Sequence, residues 1–256
     1  MLRFYGLAQN LGSDQPFYAL QARGLNTMYA CHTRTEDMAA HYLEEIRGVQ
    51  SEGPYFLGGY SFGGMIALEM AQQLIAQGEE PPLVILFDTF CIPPRGTSFS
   101  RKLESFSSPF LKMLQISPLE RRANLSRVAT APLRAIQWGL HVATLPRRVR
   151  KVRKACLSAA RHYVPQAYPG RVILFRSSRE PLGGLRNPYA GWNEYLVNGL
   201  EVCEVESNHD NILLEPQVQL VAEQLRICLN QAQAAGQATK QPHAIQTINA
   251  SGQLLA

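Results

Sequence analysis

The segment Gly58-Gly59-Tyr60-Ser61-Phe62-Gly63-Gly64 follows the apolar run Tyr55-Phe56-Leu57 and leads into Met65-Ile66-Ala67-Leu68-Glu69-Met70. That order reads as a strand, a sharp turn carrying a serine, and a helix. A serine hydroxyl is a weak nucleophile, and such a turn lifts it clear of the chain. Glycine is expected at Gly59 and Gly63 because a side chain there would meet the crossing backbone. The helix beginning just after Ser61 offers free N–H groups and a positive dipole end, which suit a developing oxyanion.

The alternation continues beyond this turn. The helix is expected to end at Gly78, and Pro81-Pro82 opens an unbroken apolar strand over Leu83–Phe87. Further strands are expected at 171–175 and 200–205, a short one at 17–20, and helices over 2–11, 35–49 and 212–230. Continuous apolar strands separated by helices imply a buried parallel sheet. From Pro93 to about Arg161 the alternation stops and the text turns Ser-, Pro- and Arg-rich, which reads as an insertion over the sheet. Residues 231–256 are Gln/Ala-rich and are expected to form a poorly ordered tail.

Charge divides in the same way. The formal net charge is +5, but residues 95–161 carry 15 Lys/Arg against 2 Asp/Glu and the remainder 10 against 18. No apolar run approaches a membrane span and the amino end lacks a signal-peptide core, so a cytoplasmic protein is expected. Five cysteines without metal-like or C-x-x-C spacing argue against a disulfide framework or a zinc site. No metal or redox cofactor is implied.

A serine on such a turn needs a base, and the base an orienting acid. His209, in Glu206-Ser207-Asn208-His209-Asp210-Asn211 between a strand and the last helix, lies where this architecture puts its base. The other five histidines precede the serine or fall in or beside the insertion or in the tail. Asp88 directly follows the strand Leu83–Phe87, on the edge where catalytic groups of parallel sheets collect. Glu180, in the loop after the next strand, is the rival acid. Asp210 adjoins His209 and is less able to reach its far ring nitrogen.

These residues carry a resemblance. Gly59-Tyr60-Ser61-Phe62-Gly63-Gly64, Leu86-Phe87-Asp88, Tyr163-Val164-Pro165 with Tyr168-Pro169-Gly170-Arg171-Val172, and Asn208-His209-Asp210 together resemble the thioesterase domains that end nonribosomal peptide and polyketide synthases. The phrase Tyr18-Ala19-Leu20-Gln21-Ala22-Arg23-Gly24-Leu25 extends the likeness, which covers residues 2–230. The resemblance implies an α/β-hydrolase-like fold, a mostly parallel sheet flanked by helices with a helical lid insertion over about 93–161. It also implies a Ser61, Asp88, His209 triad, favouring Asp88 over Glu180, with the Phe62 N–H in the oxyanion hole. The implied partner is an acyl or peptidyl carrier protein presenting a phosphopantetheine-bound substrate.

The lid contains the run Arg147-Arg148-Val149-Arg150-Lys151-Val152-Arg153-Lys154. Since carrier proteins are generally acidic, Arg150, Lys151, Arg153 and Lys154 are candidate carrier-binding residues, a solvated helix face being the plainer reading. The run has no interleaved aromatics, which disfavours nucleic acid. Two departures from the family stand out. Asn208 replaces a usual glycine. The family's first strand and His-Pro-x-Gly-Gly-like loop, which gives one oxyanion N–H, are not found before the matched text. A start placed too late, or a remnant domain, is therefore expected, with weak catalysis as the consequence. The competing functions are an inactive remnant that only docks carrier proteins and a lipase- or esterase-like hydrolase of oxygen esters.

Overall fold

A computed structural model describes residues 2–25, 29–91, 142–178 and 191–240. Glu180, residues 93–141 of the expected insertion and residues 241–256 lie outside the described residues. Among the described residues, four strands, β1 (Phe56–Tyr60), β2 (Leu83–Phe87), β3 (Val172–Ser177) and β4 (Glu201–Val205), form a single sheet in the order β1-β2-β3-β4. Every pairing is parallel, with Phe56 opposite Leu83, Val84 opposite Val172 and Ile173 opposite Glu201. The parallel sheet flanked by helices is the architecture expected from the sequence.

Among the described residues, five helices accompany the sheet: α1 (Tyr5–Leu11), α2 (Thr35–Arg47), α3 (Phe62–Ala76), α4 (Arg147–His162) and α5 (Gln217–Lys240). Successive strand residues point to opposite faces, and the two faces are filled by different helices. Val84, Leu86, Val172 and Leu174 pack with Met38 and Leu43 of α2, Leu68 and Leu74 of α3, and Ala159 of α4. Leu83, Ile85, Phe87, Ile173 and Phe175 pack with Leu7 and Leu11 of α1 and Val218, Val221 and Leu225 of α5. With both faces covered, β2 and β3 are buried at every residue, which is why Leu83–Phe87 and Val172–Phe175 read as unbroken apolar runs. Each such side chain contributes about 1.5–3 kcal/mol on leaving water.

Two expectations about elements are corrected. Residues 17–20 form no strand. Burial alternates there, with Phe17 packed 6.0 Å from Phe4 and Tyr18 70% exposed, but no neighbouring chain pairs with the segment among the described residues. A short apolar run after a proline makes a strand only when a ladder partner is present. The last helix begins at Gln217, directly after Pro216, and continues to Lys240, past the end expected at 230. Its Gln- and Ala-rich end has good helix propensity despite its few large apolar side chains.

Parallel strands bring all their carboxyl ends to one edge. The residue after β1 is Ser61, the residue after β2 is Asp88, and the turn after β4 contains His209. Sites distant in sequence thereby meet at one edge of the sheet.

Candidate active site

Ser61 sits between β1 and α3 with φ 54° and ψ −122°. Its N–H still donates to Phe87 O at 2.9 Å, extending the β1–β2 ladder, while its own carbonyl accepts from Gly64 N at 3.1 Å. A non-glycine residue held at positive φ costs about 1–3 kcal/mol, and the packed strand and helix on either side hold it there. The glycines around it do different jobs. A Cβ on Gly59 would lie 2.1 Å from the carbonyl carbon and oxygen of Gly63, and one on Gly64 would lie 2.2 Å from Thr89 Oγ1. A Cβ on Gly63 would meet nothing within 4 Å. The crowding expected at Gly63 belongs instead to Gly64, where α3 passes against the segment after β2.

Asp88 also has a left-handed backbone, φ 48°, a region that aspartate tolerates better than most residues. Its N–H donates to Phe175 O at 2.7 Å, and its side chain is completely buried. A carboxylate can only accept, and three donors converge on this one. Ser177 N–H reaches Oδ1 at 2.9 Å, Ser177 Oγ–H reaches Oδ2 at 2.7 Å, and His209 Nδ1 lies 2.7 Å from Oδ2. Nδ1 must therefore be the protonated ring nitrogen, which leaves Nε2 as an acceptor. His209 Nε2 is 3.1 Å from Ser61 Oγ. The result is a continuous chain from Ser61 through His209 to Asp88, with the imidazole one-third exposed at its outer end. Such a chain can draw the proton from a serine hydroxyl as the oxygen attacks an acyl carbon.

Phe62, the first residue of α3, offers its backbone N–H beside Ser61 at the positive end of the helix dipole. Among the four basic residues singled out in the sequence, Arg150, Lys151 and Lys154 are exposed on α4 and Arg153 is half-buried. They belong to a helix rather than to the sheet edge that brings Ser61, Asp88 and His209 together.

Sequence reasoning missed Ser177 and the aromatic surroundings of His209. Ser177 ends an apolar strand 89 positions from its partner, and nothing in the sequence marks it except its place at a strand's carboxyl end. The Tyr60 ring stacks on the His209 imidazole at 4.9 Å and 26°, and Phe90 lies 6.4 Å from the same ring.

Comparison with known proteins gives a consistent answer. The family described as thioesterase domain matches residues 2–228. Malpinin synthetase of Mortierella alpina is 32% identical over 219 residues, and malpibaldin synthetase of the same organism 28% over 213. These matches cover 81% and 80% of this chain but only 2% and 3% of the synthetases, so the chain spans a small fraction of their length. The crystal structure of the NocB thioesterase domain, in covalent complex with a fluorophosphonate nocardicin G analogue, aligns with a TM-score of 0.61 and 27% identity. That alignment covers 89% of this chain and 88% of the other. Over nearly all of its described length, on an α/β-hydrolase fold, the chain belongs to the thioesterase domain family.

Proposed function

We propose that the chain is a serine thioesterase that releases acyl or peptidyl groups from the phosphopantetheine arm of a carrier protein. The observation that carries this reading is the hydrogen-bond chain from Ser61 Oγ through His209 to the buried Asp88 carboxylate. Ser61 Oγ bonds to the thioester carbon as its proton passes to His209 Nε2, and Asp88 holds the resulting imidazolium in place. The Phe62 N–H donates to the oxyanion. Collapse of the tetrahedral adduct breaks the carbon–sulfur bond, and the departing thiolate takes the proton from His209. Water, or a hydroxyl or amine of the acyl group itself, then attacks the acyl-serine with His209 again as base. The product is a free acid or a macrocycle.

The relatives support the substrate class, since they include the malpinin and malpibaldin synthetases, a nonribosomal peptide synthase and the polyketide synthase PksR of Bacillus subtilis. No helix among the described residues is long and apolar enough to cross a membrane. With all five cysteines unpaired, the chain suits a reducing compartment, and we place its work in the cytoplasm.

A fluorophosphonate probe tests the nucleophile. Mass spectrometry is expected to find the adduct on Ser61, and Ser61→Ala should abolish it. An adduct on any other serine, or labelling that survives Ser61→Ala, would remove the central assignment. Comparing acyl-pantetheine with the matching oxygen ester tests the substrate class, the thioester being turned over faster.

Carrier docking belongs to α4. This helix carries seven Lys/Arg and no Asp/Glu, and Val152, Ala155, Ala159 and Ala160 bury its other face. Exposed charges of one sign steer an acidic partner and act mainly on encounter. Replacing Arg150, Lys151 and Lys154 by glutamine should raise KM for an acyl-carrier substrate by about tenfold at low salt and leave a small acyl-thioester unaffected. Equal changes for both substrates would rule docking out.

A further inference from the structure

The base of this site stands on a turn, not on a helix or strand. The residues around His209 are held locally by Asn211 N–H, which donates to Asn208 O at 3.1 Å and to Asn208 Oδ1 at 3.0 Å. Two carbonyls of the turn are held from outside. Tyr60 Oη–H donates to His209 O at 2.7 Å, and Arg3 donates to Asp210 O at 2.7 Å. The same Arg3 nitrogen donates to Tyr60 Oη at 3.1 Å, and its guanidinium carbon lies 4.5 Å from the Tyr60 ring centroid. The Tyr60 ring in turn stacks on the His209 imidazole.

We propose that Tyr60 and Arg3 are positioning residues that brace His209 against the nucleophile, a deepening that rests on the Ser61–His209–Asp88 reading. Tyr60 is the last residue of β1 and is bonded directly to Ser61, so one rigid strand end locates both the nucleophile and the base. The covalent link fixes Ser61. The ring stack fixes the tilt of the imidazole, and the phenol hydroxyl fixes the backbone that carries it.

Arg3 ties the amino-terminal turn Leu2–Phe4 to this assembly. That turn is itself anchored, because Phe4 packs at 6.0 Å against Phe87, the residue before Asp88. Burial pushes the Tyr60 phenol up to about 12, so at neutral pH it remains the donor this geometry requires. A displacement of about 1 Å between base and nucleophile costs on the order of a hundredfold in rate, which makes such bracing worth its ordering.

The test uses the full chain and the variants Tyr60→Phe, Tyr60→Leu, Arg3→Gln and Arg3→Lys. Tyr60→Phe keeps the stack and loses the hydroxyl bond, and should lower kcat about tenfold with KM for a small acyl-thioester unchanged. Tyr60→Leu loses both contacts and should fall about a hundredfold. Arg3→Gln should lower kcat several-fold, on the order of fivefold, and Arg3→Lys, which keeps a donor, should recover most of it. Amide exchange at Asn211, whose N–H is held by Asn208 within the turn, should quicken in Tyr60→Phe and Arg3→Gln while the β2 and β3 amides keep wild-type protection.

Wild-type kcat in Tyr60→Phe and Arg3→Gln overturns the brace. So does a fall in kcat accompanied by an equal change in KM or by loosened β2 and β3 amides, which marks general destabilisation. If Ser61→Ala retains wild-type turnover, the triad reading fails instead. The exchange at Asn211 then decides alone whether Tyr60 and Arg3 hold the turn.

Discussion

Asp88→Asn is expected to lower kcat by about four orders of magnitude while the protein stays folded. The reason lies in the three donors that meet at this carboxylate. If the new amide puts its NH2 where Oδ2 stands, it faces His209 Nδ1. The ring must then carry its proton on Nε2, where it can no longer accept from Ser61. If the NH2 is turned toward Oδ1, it faces the Ser177 N–H, and a buried donor loses its acceptor at a cost of about 1–3 kcal/mol. The first arrangement silences the base and the second strains the site. Ser177 Oγ can rotate to suit either, but its backbone N–H cannot. Turnover of a small acyl-thioester, with melting temperature measured in parallel, checks this. A kcat within tenfold of wild type would show that another group orients His209.

Glu180→Gln completes the comparison, because Glu180 competes with Asp88 in sequence logic and lies outside the described residues. The Asp88 geometry leads to the expectation that this change leaves kcat within about threefold of wild type, since His209 Nδ1 already has an acceptor at 2.7 Å. A loss comparable to that of Asp88→Asn would move the acid to the later loop.

The sheet was legible because its strands are covered on both faces. A strand such as Leu83–Phe87, buried at all five positions, has no polar alternation to confuse with loop, and its end marks the edge where Asp88 lies. The same logic brought out Ser61 and His209, each directly beyond a strand or in the turn after one. The segment at 17–20 misled for the converse reason. Its apolar run Phe17-Tyr18-Ala19-Leu20 is a local property, whereas a strand needs a partner that no local pattern can supply.

The contacts made sideways along the sheet edge were also hidden. Ser177 reaches Asp88 across the β2–β3 pairing, and Arg3 reaches the His209 turn over a separation of 207 residues at Asp210. Both depend on register and layer order, which single residue types do not encode. Arg3 would have been passed over on any reading, as an ordinary charged residue at the start of an amphipathic segment.

The glycine motif shows how a correct pattern can carry an inexact physical account, and it leads to the largest expected effect on stability. Gly59→Ala should destabilise the fold by about 3 kcal/mol or more, because its Cβ would lie 2.1 Å from Gly63 C and O and 2.4 Å from Gly64 N. All three atoms are backbone, so relief requires β1 and the start of α3 to separate, and that loosens Ser61 as well. For a domain of this size such a loss lowers Tm by about 6–12 °C. Gly64→Ala should cost less, since its Cβ meets the Thr89 side chain at 2.2–2.9 Å rather than a crossing backbone. Gly63→Ala should leave Tm unchanged or raise it slightly. Its Cβ meets nothing, and alanine is favoured over glycine within a helix by about 1 kcal/mol. Thermal unfolding of the three variants should therefore rank Gly59→Ala lowest and Gly63→Ala highest. A Gly59→Ala protein melting within 2 °C of wild type, a shift of less than about 1 kcal/mol, would show that the elbow yields more easily than its packing implies. A Gly63→Ala protein melting lowest of the three would return the steric role to the position that the motif first suggested.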